Sequence, residues 1–325
     1  MAVRIRPSSL CSPLRRRSAG GLGVLAACGL VRWPVALAAS PSGAGEGSGT
    51  GEGGRPGRGA RPAAGCRGVV YLTLDTGNMA EAQRIAGMLA RHEVRATFFL
   101  ANERTPNGDH ALGAEWADYW RGRVAEGHVF GSHTFDHVYF HGTNVGPGGQ
   151  VRFVVRPQFG VSAGRTLHWS AADLCAELRR VDDRFRELTG RGLDPFWRAP
   201  GGRVPAAAIE AARRCGYAHV GWTPAGFLGD ELSSQAHPNE RLLAEALARI
   251  GDGDILLAHL GIWSRRDPYA PMLDPLIAGL KARGLCFATI DRHPAYRGRP
   301  PVHAAAPAGA PGSPSPGASR AEGTR

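Results

Sequence analysis

The chain has 325 residues, 43% of them hydrophobic, and a formal charge of +11. That composition supports a sizeable buried core, and no internal repeat divides it. The charge does not mark a nucleic-acid binder. Six arginines lie in the first 40 residues, leaving +5 without them, and no arginine cluster interleaved with aromatic residues follows. The modest basic balance that remains suits contact with an anionic cell-envelope polymer.

Taken in order, residues 1–39 open with Arg4, Arg6, Arg15, Arg16 and Arg17, pass through the apolar stretch Gly21 to Leu30 and reach Ala36-Leu37-Ala38-Ala39. This is the pattern of an export signal, too short and too interrupted by Arg32 to remain as a membrane span. Leu25-Ala26-Ala27-Cys28 also resembles a lipoprotein cleavage box, which offers a lipid anchor at Cys28 as the alternative to cleavage near Ala39. Arg16-Arg17 hints at twin-arginine export, although the residues after it fit poorly. The expected location is periplasmic or extracellular, with no transmembrane segment once the signal is removed. Residues 40–65, rich in Gly, Ser, Pro and Arg, and residues 294–325, rich in Pro, Ala and Gly, offer little to bury and read as disordered flanks. The folded domain is expected over 66–293.

Within it, seven short apolar runs read as strands: Val69 to Leu74, Ala96 to Leu100, Val129 to Ser132, Pro195 to Arg198, His219 to Trp222, Ile255 to Ala258 and Cys286 to Ile290. Amphipathic stretches between them predict helices over Ala80–Arg91, Glu115–Glu126, Ala171–Thr189, Pro205–Cys215, Asn239–Ile250 and Pro275–Arg283. Apolar strands alternating with helices predict an α/β fold around a parallel sheet covered on both faces, open or closed into a barrel. Tyr139 to Leu167, rich in Gly and without clear period, reads as a long inserted loop near the histidines. Cys66, Cys175, Cys215 and Cys286 match no metal ribbon. Export permits disulfides, but sparse cysteines in apolar contexts such as Leu285-Cys286-Phe287 read as buried thiols.

Reactive groups in such folds collect where strands end. Here the strand ends carry Asp75, then His133 and His137, then Arg198, then Trp222, then His259. His133 and His137 stand four residues apart. If the backbone turns helical at His133, both imidazoles share one face and reach one metal ion. Each residue also has a bland reading. Asp75 before Thr76-Gly77 is a possible helix cap or turn former, Arg198 a partner for any acid, His259 a satisfied strand-end histidine, and Trp222 a pocket wall. His128, on a strand, reads as a buried, hydrogen-bonded histidine, and Trp263, Arg265 and Arg266 as a loop that contacts substrate or solvent.

Five motifs in this order resemble the polysaccharide deacetylase family, the NodB-like carbohydrate esterases. Thr73-Leu74-Asp75-Thr76-Gly77 is similar to Thr-Phe-Asp-Asp-Gly, and Gly127-His128 through His133-Thr134 and His137 to a strand followed by His-Ser/Thr-x-x-His. Arg198-Ala199-Pro200-Gly201-Gly202 resembles Arg-x-Pro-aromatic-Gly, Val220-Gly221-Trp222 the tryptophan motif, and Leu257-Ala258-His259 the Leu-x-His. The likeness covers about Gly68 to Asp291. It implies a distorted (β/α) barrel of about seven parallel strands. It also implies metal-dependent hydrolysis of an acyl group, acetyl or formyl, on an amino sugar of an envelope polysaccharide, glycolipid or peptidoglycan. By the resemblance, Asp75 is the general base, Arg198 holds it, His259 protonates the leaving amine, and His133 and His137 bind a divalent metal, zinc above others. The N–H after Pro200 would help hold the oxyanion, and Gly201 and Trp222 would face the sugar.

Three departures qualify it. Thr76 replaces the second Asp, the third metal ligand of the family. Three readings stay open: Asp75 itself ligates the metal; Asp136, Asp109 or Asp230 completes the shell; or the metal is weak or absent. A bound metal is the favoured reading, because two histidines at ligand spacing otherwise have no evident purpose. Gly201 replaces the aromatic of the arginine motif and is expected to widen the groove. The tryptophan motif lacks its following acid, which leaves Asp230 as the nearest candidate partner for His259. Two competing functions remain: a carbohydrate-binding protein on a degraded hydrolase scaffold, and a metal-poor, allantoinase-like hydrolase of another C–N bond.

Overall fold

The computed structural model describes residues 65–299. The expected export signal, the site of the possible Cys28 anchor, nearly all of the 40–65 linker and most of the 294–325 tail lie outside the described residues. Seven strands form one parallel sheet: β1 (Gly68–Asp75), β2 (Thr97–Leu100), β3 (Val129–Ser132), β7 (Phe196–Trp197), β8 (Ala218–His219), β9 (Ile255–His259) and β10 (Leu285–Phe287). The order runs β10-β1-β2-β3-β7-β8, and β9 pairs with the upper half of β1 beyond β10. The sheet curls back on itself. Phe227 bridges Leu257, and Thr223 N–H donates to the Ile255 carbonyl at 3.1 Å, so the stretch after β8 closes onto β9. The result is the expected distorted (β/α) barrel.

Helices α1 (Ala82–Arg91), α2 (Ala117–Ala125), α3 (Ala171–Thr189), α4 (Ala206–Arg214), α5 (Asn239–Arg249) and α6 (Leu273–Ala282) cover the sheet. α3 begins where the sequence puts it because Ser170 and Asp173 form a reciprocal capping box. It ends at Gly190, whose φ of 78° closes the helix left-handed. β2 and β3 are buried along their whole length and β1 at all but Val69, which is why they read as continuous apolar runs.

Two expectations fail here. Tyr139 to Leu167 is not an irregular loop: β4 (Val138–Val145), β5 (Val151–Pro157) and β6 (Leu167–Trp169) form a separate antiparallel sheet. Val138, Phe140, Phe153 and Val155 pack with Trp197, Leu174 and Leu178. The alternation is broken by a bulge between Phe140 and Gly142, which hides the period of two. Nor are the cysteines buried thiols. Cys66 is bonded to Cys286, Cα atoms 5.7 Å apart, and Cys175 to Cys215, 6.1 Å apart. The first bond ties the segment before β1 to β10, the second α3 to the end of α4; apolar flanks say where a cysteine sits, not what it meets. The described chain also continues beyond 293, with Tyr296 packed edge-on against Phe196.

Candidate active site

The groups singled out at the strand ends converge on one open groove of about 410 Å³, reached by Asp75, Glu103, His133, His137, Tyr139, Trp222, Glu231 and His259. A larger cavity of about 630 Å³ lies at the starts of β2 and β3 and reaches none of them.

Asp75 ends β1 and lies directly beside His259, which ends β9. Its carboxylate is almost fully buried, and Arg198, with no exposed surface, donates to Asp75 Oδ1 at 2.9 Å. Two further donors of Arg198 are held by the carbonyls of Val220 (3.1 Å) and Gly221 (3.0 Å), so the backbone of the tryptophan motif aims the guanidinium. Burial pushes the Asp75 carboxyl up, but Arg198, His133 and His259 overcome it and hold the carboxyl below its ordinary value. Asp75 is therefore ionised at neutral pH.

His259 is gripped by Asp230. The carboxylate accepts from His259 N–H at 2.7 Å and lies 3.1 Å from Nδ1. Burial disfavours the imidazolium, yet Asp230, Asp75 and Glu231 outweigh it and raise the pKa to about 9. With Nδ1 on Asp230, the Nε2–H points away from that acid, into the groove.

His133 follows β3, its N–H donating to the Leu100 carbonyl at 2.7 Å. The expected helical start does not occur: Thr134 (φ 61°) and His137 (φ 48°) are left-handed, and this tight turn places the two imidazole centroids 5.0 Å apart. His133 Nδ1 lies 2.9 Å from the Arg198 carbonyl oxygen, which only accepts, so Nδ1 carries the proton. Burial depresses the His133 pKa to about 4 despite the opposing pull of Asp75, so the ring is neutral and Nε2 bears a lone pair. That lone pair faces Asp75 Oδ2 at 3.4 Å.

None of the acids expected to complete a metal shell reaches this pair. Asp136 is bound by Arg180 at 2.9 Å, Asp109 by Thr105 and Trp116, and Asp230 by His259. Two acids that line the pocket, Glu103 and Glu231, are ones that sequence reasoning missed; Glu103 lies beside Thr76. It accepts from the Thr76 hydroxyl at 2.9 Å, while that hydroxyl accepts from Ala101 N–H at 3.1 Å. Thr73-Leu74-Asp75-Thr76-Gly77 carries the one signal that was available: a neutral residue at the metal position implies a carboxylate from elsewhere.

Gly201 does not widen the groove. It has φ 65°, and a Cβ there would stand 2.7 Å from the Tyr139 ring, so an aromatic side chain from β4 fills the space that the motif leaves empty. Gly202 N–H is taken by the Ala199 carbonyl at 3.1 Å, which leaves Gly201 N–H as the donor of this turn without a backbone partner among the described residues. Gly77, at φ 55°, is forced by the Gly261 carbonyl, which a Cβ would meet at 2.0 Å. His128 is buried, its Nδ1 accepting from Ala96 N–H at 2.9 Å. Arg265 is buried too, bonded to the carbonyls of Leu232 and His237, whereas Trp263 is 59% exposed at the rim.

The polysaccharide deacetylase family model matches residues 63–220. The chitooligosaccharide deacetylase of Azorhizobium caulinodans is 25% identical over 231 residues, 67% of this chain and 90% of that one. The peptidoglycan-N-acetylmuramic acid deacetylase of Bacillus subtilis is 22% identical over 236 residues, 68% of this chain and 70% of the relative. Among solved structures, the T48 deacetylase, solved with substrate, superposes with a TM-score of 0.51 at 21% identity, covering 72% of this chain and 94% of that one, a likeness of fold.

Such deacetylases are generally metal-dependent, and the donors here suit a divalent ion: His133 Nε2 faces another acceptor, and His137 Nδ1 is buried without a hydrogen-bond partner. Among the described residues no three His, Cys, Asp or Glu side chains are gathered into a ready-made cage, since Thr76 stands at the carboxylate position. The fold, the ordered motifs and these likenesses make the chain similar to the polysaccharide deacetylase family, whose model matches residues 63–220.

Proposed function

We propose that this chain is an exported, metal-dependent hydrolase that removes an N-acyl group from an amino sugar in an envelope polysaccharide or peptidoglycan. The observation that carries this reading is the pairing of an ionised carboxylate, Asp75 on Arg198, with a protonated imidazole, His259 on Asp230, at adjoining strand ends. An amide resists hydrolysis because its nitrogen leaves poorly until protonated and water attacks poorly until deprotonated. Asp75 takes the water proton as oxygen attacks the acyl carbon. The developing oxyanion is placed to accept from Gly201 N–H. His259 Nε2 gives its proton to the amide nitrogen, the C–N bond breaks, and a free amine and a carboxylate leave. His133 and His137 would hold a divalent ion, zinc above others, whose chemistry is to polarise the acyl oxygen and acidify water.

Tyr139, Trp222 and Trp263 give the groove aromatic walls suited to the apolar faces of sugar rings. Two disulfides support residence outside the reducing cytosol, and no helix among the described residues is long and apolar enough to cross a membrane. We assign residues 1–39 to export and those flanking the barrel to linkers.

The test is release of acetate or formate from chitooligosaccharide and from peptidoglycan, with Asp75→Asn as control. Release that is lost in the variant supports the hydrolase. Thr76 favours the second reading, a sugar-binding protein on a degraded scaffold. That reading predicts retained sugar affinity with no acyl release.

A further inference from the structure

We infer that Glu231 is a specificity-determining residue that turns the groove against glycans carrying an anionic group beside the scissile amide, and so toward neutral or amine-bearing N-acyl sugars. The inference rests on the hydrolase reading above and deepens it by naming the charge class of the substrate.

The described residues that line the groove include no Lys or Arg, whereas they include the carboxylates of Asp75, Glu103 and Glu231. These acids are not equivalent. Asp75 is matched by Arg198 at 2.9 Å, and Asp230, behind the groove, by His259 at 3.1 Å. Glu103 is buried against the Thr76 hydroxyl. Glu231 is the acid that an incoming sugar meets. Its side chain is 46% exposed, and among the described residues its carboxylate accepts no hydrogen bond. The Ser264 hydroxyl donates to its backbone carbonyl at 3.5 Å, which ties it to the loop that carries Trp263. Burial raises the Glu231 carboxyl above its ordinary value, against the pull of His259.

Position turns this charge into selectivity. Glu231 Oε2 lies 3.8 Å from His259 Nε2, too far for a hydrogen bond, so the Nε2–H stays available to the amide nitrogen. That nitrogen is bonded to the sugar ring. The carboxylate beside Nε2 therefore acts on the sugar side of the scissile bond, whereas a divalent ion on His133 and His137 would act on the acyl oxygen. A carboxylate on the sugar would meet Glu231 as a like charge with no guanidinium or ammonium in the lining to offset it. A neutral hydroxyl meets no such penalty, and a free amine on the glycan gains a counter-charge.

The test gives the full chain, supplied with zinc, two oligosaccharides of equal length: an N-acetylated chitooligosaccharide, and one in which N-acetylmuramic acid with a free lactyl carboxylate alternates. The wild type is expected to favour the neutral chain by roughly tenfold in kcat/KM, a preference that narrows as salt or acidity rises. Glu231→Gln keeps the size and removes the charge, so the ratio should fall to about threefold or less and lose its salt dependence, and Glu231→Lys should invert it. Salt separates charge from the bulk of the lactyl group. A ratio unchanged in Glu231→Gln overturns the inference, as does a wild type that favours the acidic chain or binds neither. The same ratio is read as Kd in Asp75→Asn, with and without Glu231→Gln. Discrimination in Kd that needs Glu231, with no acyl release from either sugar by the wild type, sinks the hydrolase reading and leaves the inference standing. Release without discrimination does the reverse.

Discussion

The two sides of the crevice treat the family pattern in opposite ways. On the Asp75–His259 side each reactive group sits at its motif position, and each has a buried counter-charge, Arg198 for one and Asp230 for the other. On the His133–His137 side the imidazoles remain but the motif carboxylate is gone, and Glu103 stands against its replacement. Proton transfer depends on a matched pair of pKa values, which few substitutions survive. The difference teaches that the proton-transfer half of the pattern is kept with its counter-charges, while the other half keeps its imidazoles without the motif carboxylate.

The comparison breaks most severely at Asp75. Asp75→Asn removes the base and leaves Arg198 unmatched, so acyl release should fall by roughly 10³-fold or more in kcat while the protein stays folded by circular dichroism. An activity change below tenfold would refute the assigned base.

Next is Arg198→Met, which leaves the buried Asp75 charge unpaired. It is expected to cost about 3–5 kcal/mol in denaturant unfolding at pH 7. The loss should shrink as the pH falls and Asp75 takes up a proton.

His259 sharpens the comparison through pH. Its folded pKa of about 9 exceeds the ordinary 6.5, so its pairing stabilises the fold fully below pH 6.5 and that stability is lost as pH rises through 9. Activity that needs the proton on His259 falls over the same upper range. Asp230→Asn should draw the alkaline limb of the kcat/KM profile down from about 9 toward 6.5, a loss on the order of tenfold at pH 8. An unmoved limb would show that another group donates the proton.

The smallest effect is expected at the rim. Trp263→Ala removes an exposed aromatic, and should raise KM for a long oligosaccharide by several-fold with kcat unchanged. Equal loss in KM and kcat would place Trp263 closer to the chemistry than its exposure suggests.

The sequence by itself determined the strands of the parallel sheet, the helices and the order of the motifs, because each rests on a period or spacing of a few residues, but not the antiparallel β4–β6. α3 is legible to the residue, since its capping box and closing glycine are local. What only the tertiary structure decided lies across long separations. Glu103 meets Thr76 from 27 residues away, and Cys66 finds Cys286 from 220. Tyr139 fills the space above Gly201, and Asp230 grips His259. The left-handed turn at Thr134 and His137 belongs here as well, because non-glycine residues enter it only when surrounding contacts hold them there. Periodicity reports which face of an element is buried. It carries nothing about which distant side chain arrives opposite, and in this crevice those arrivals set the charge.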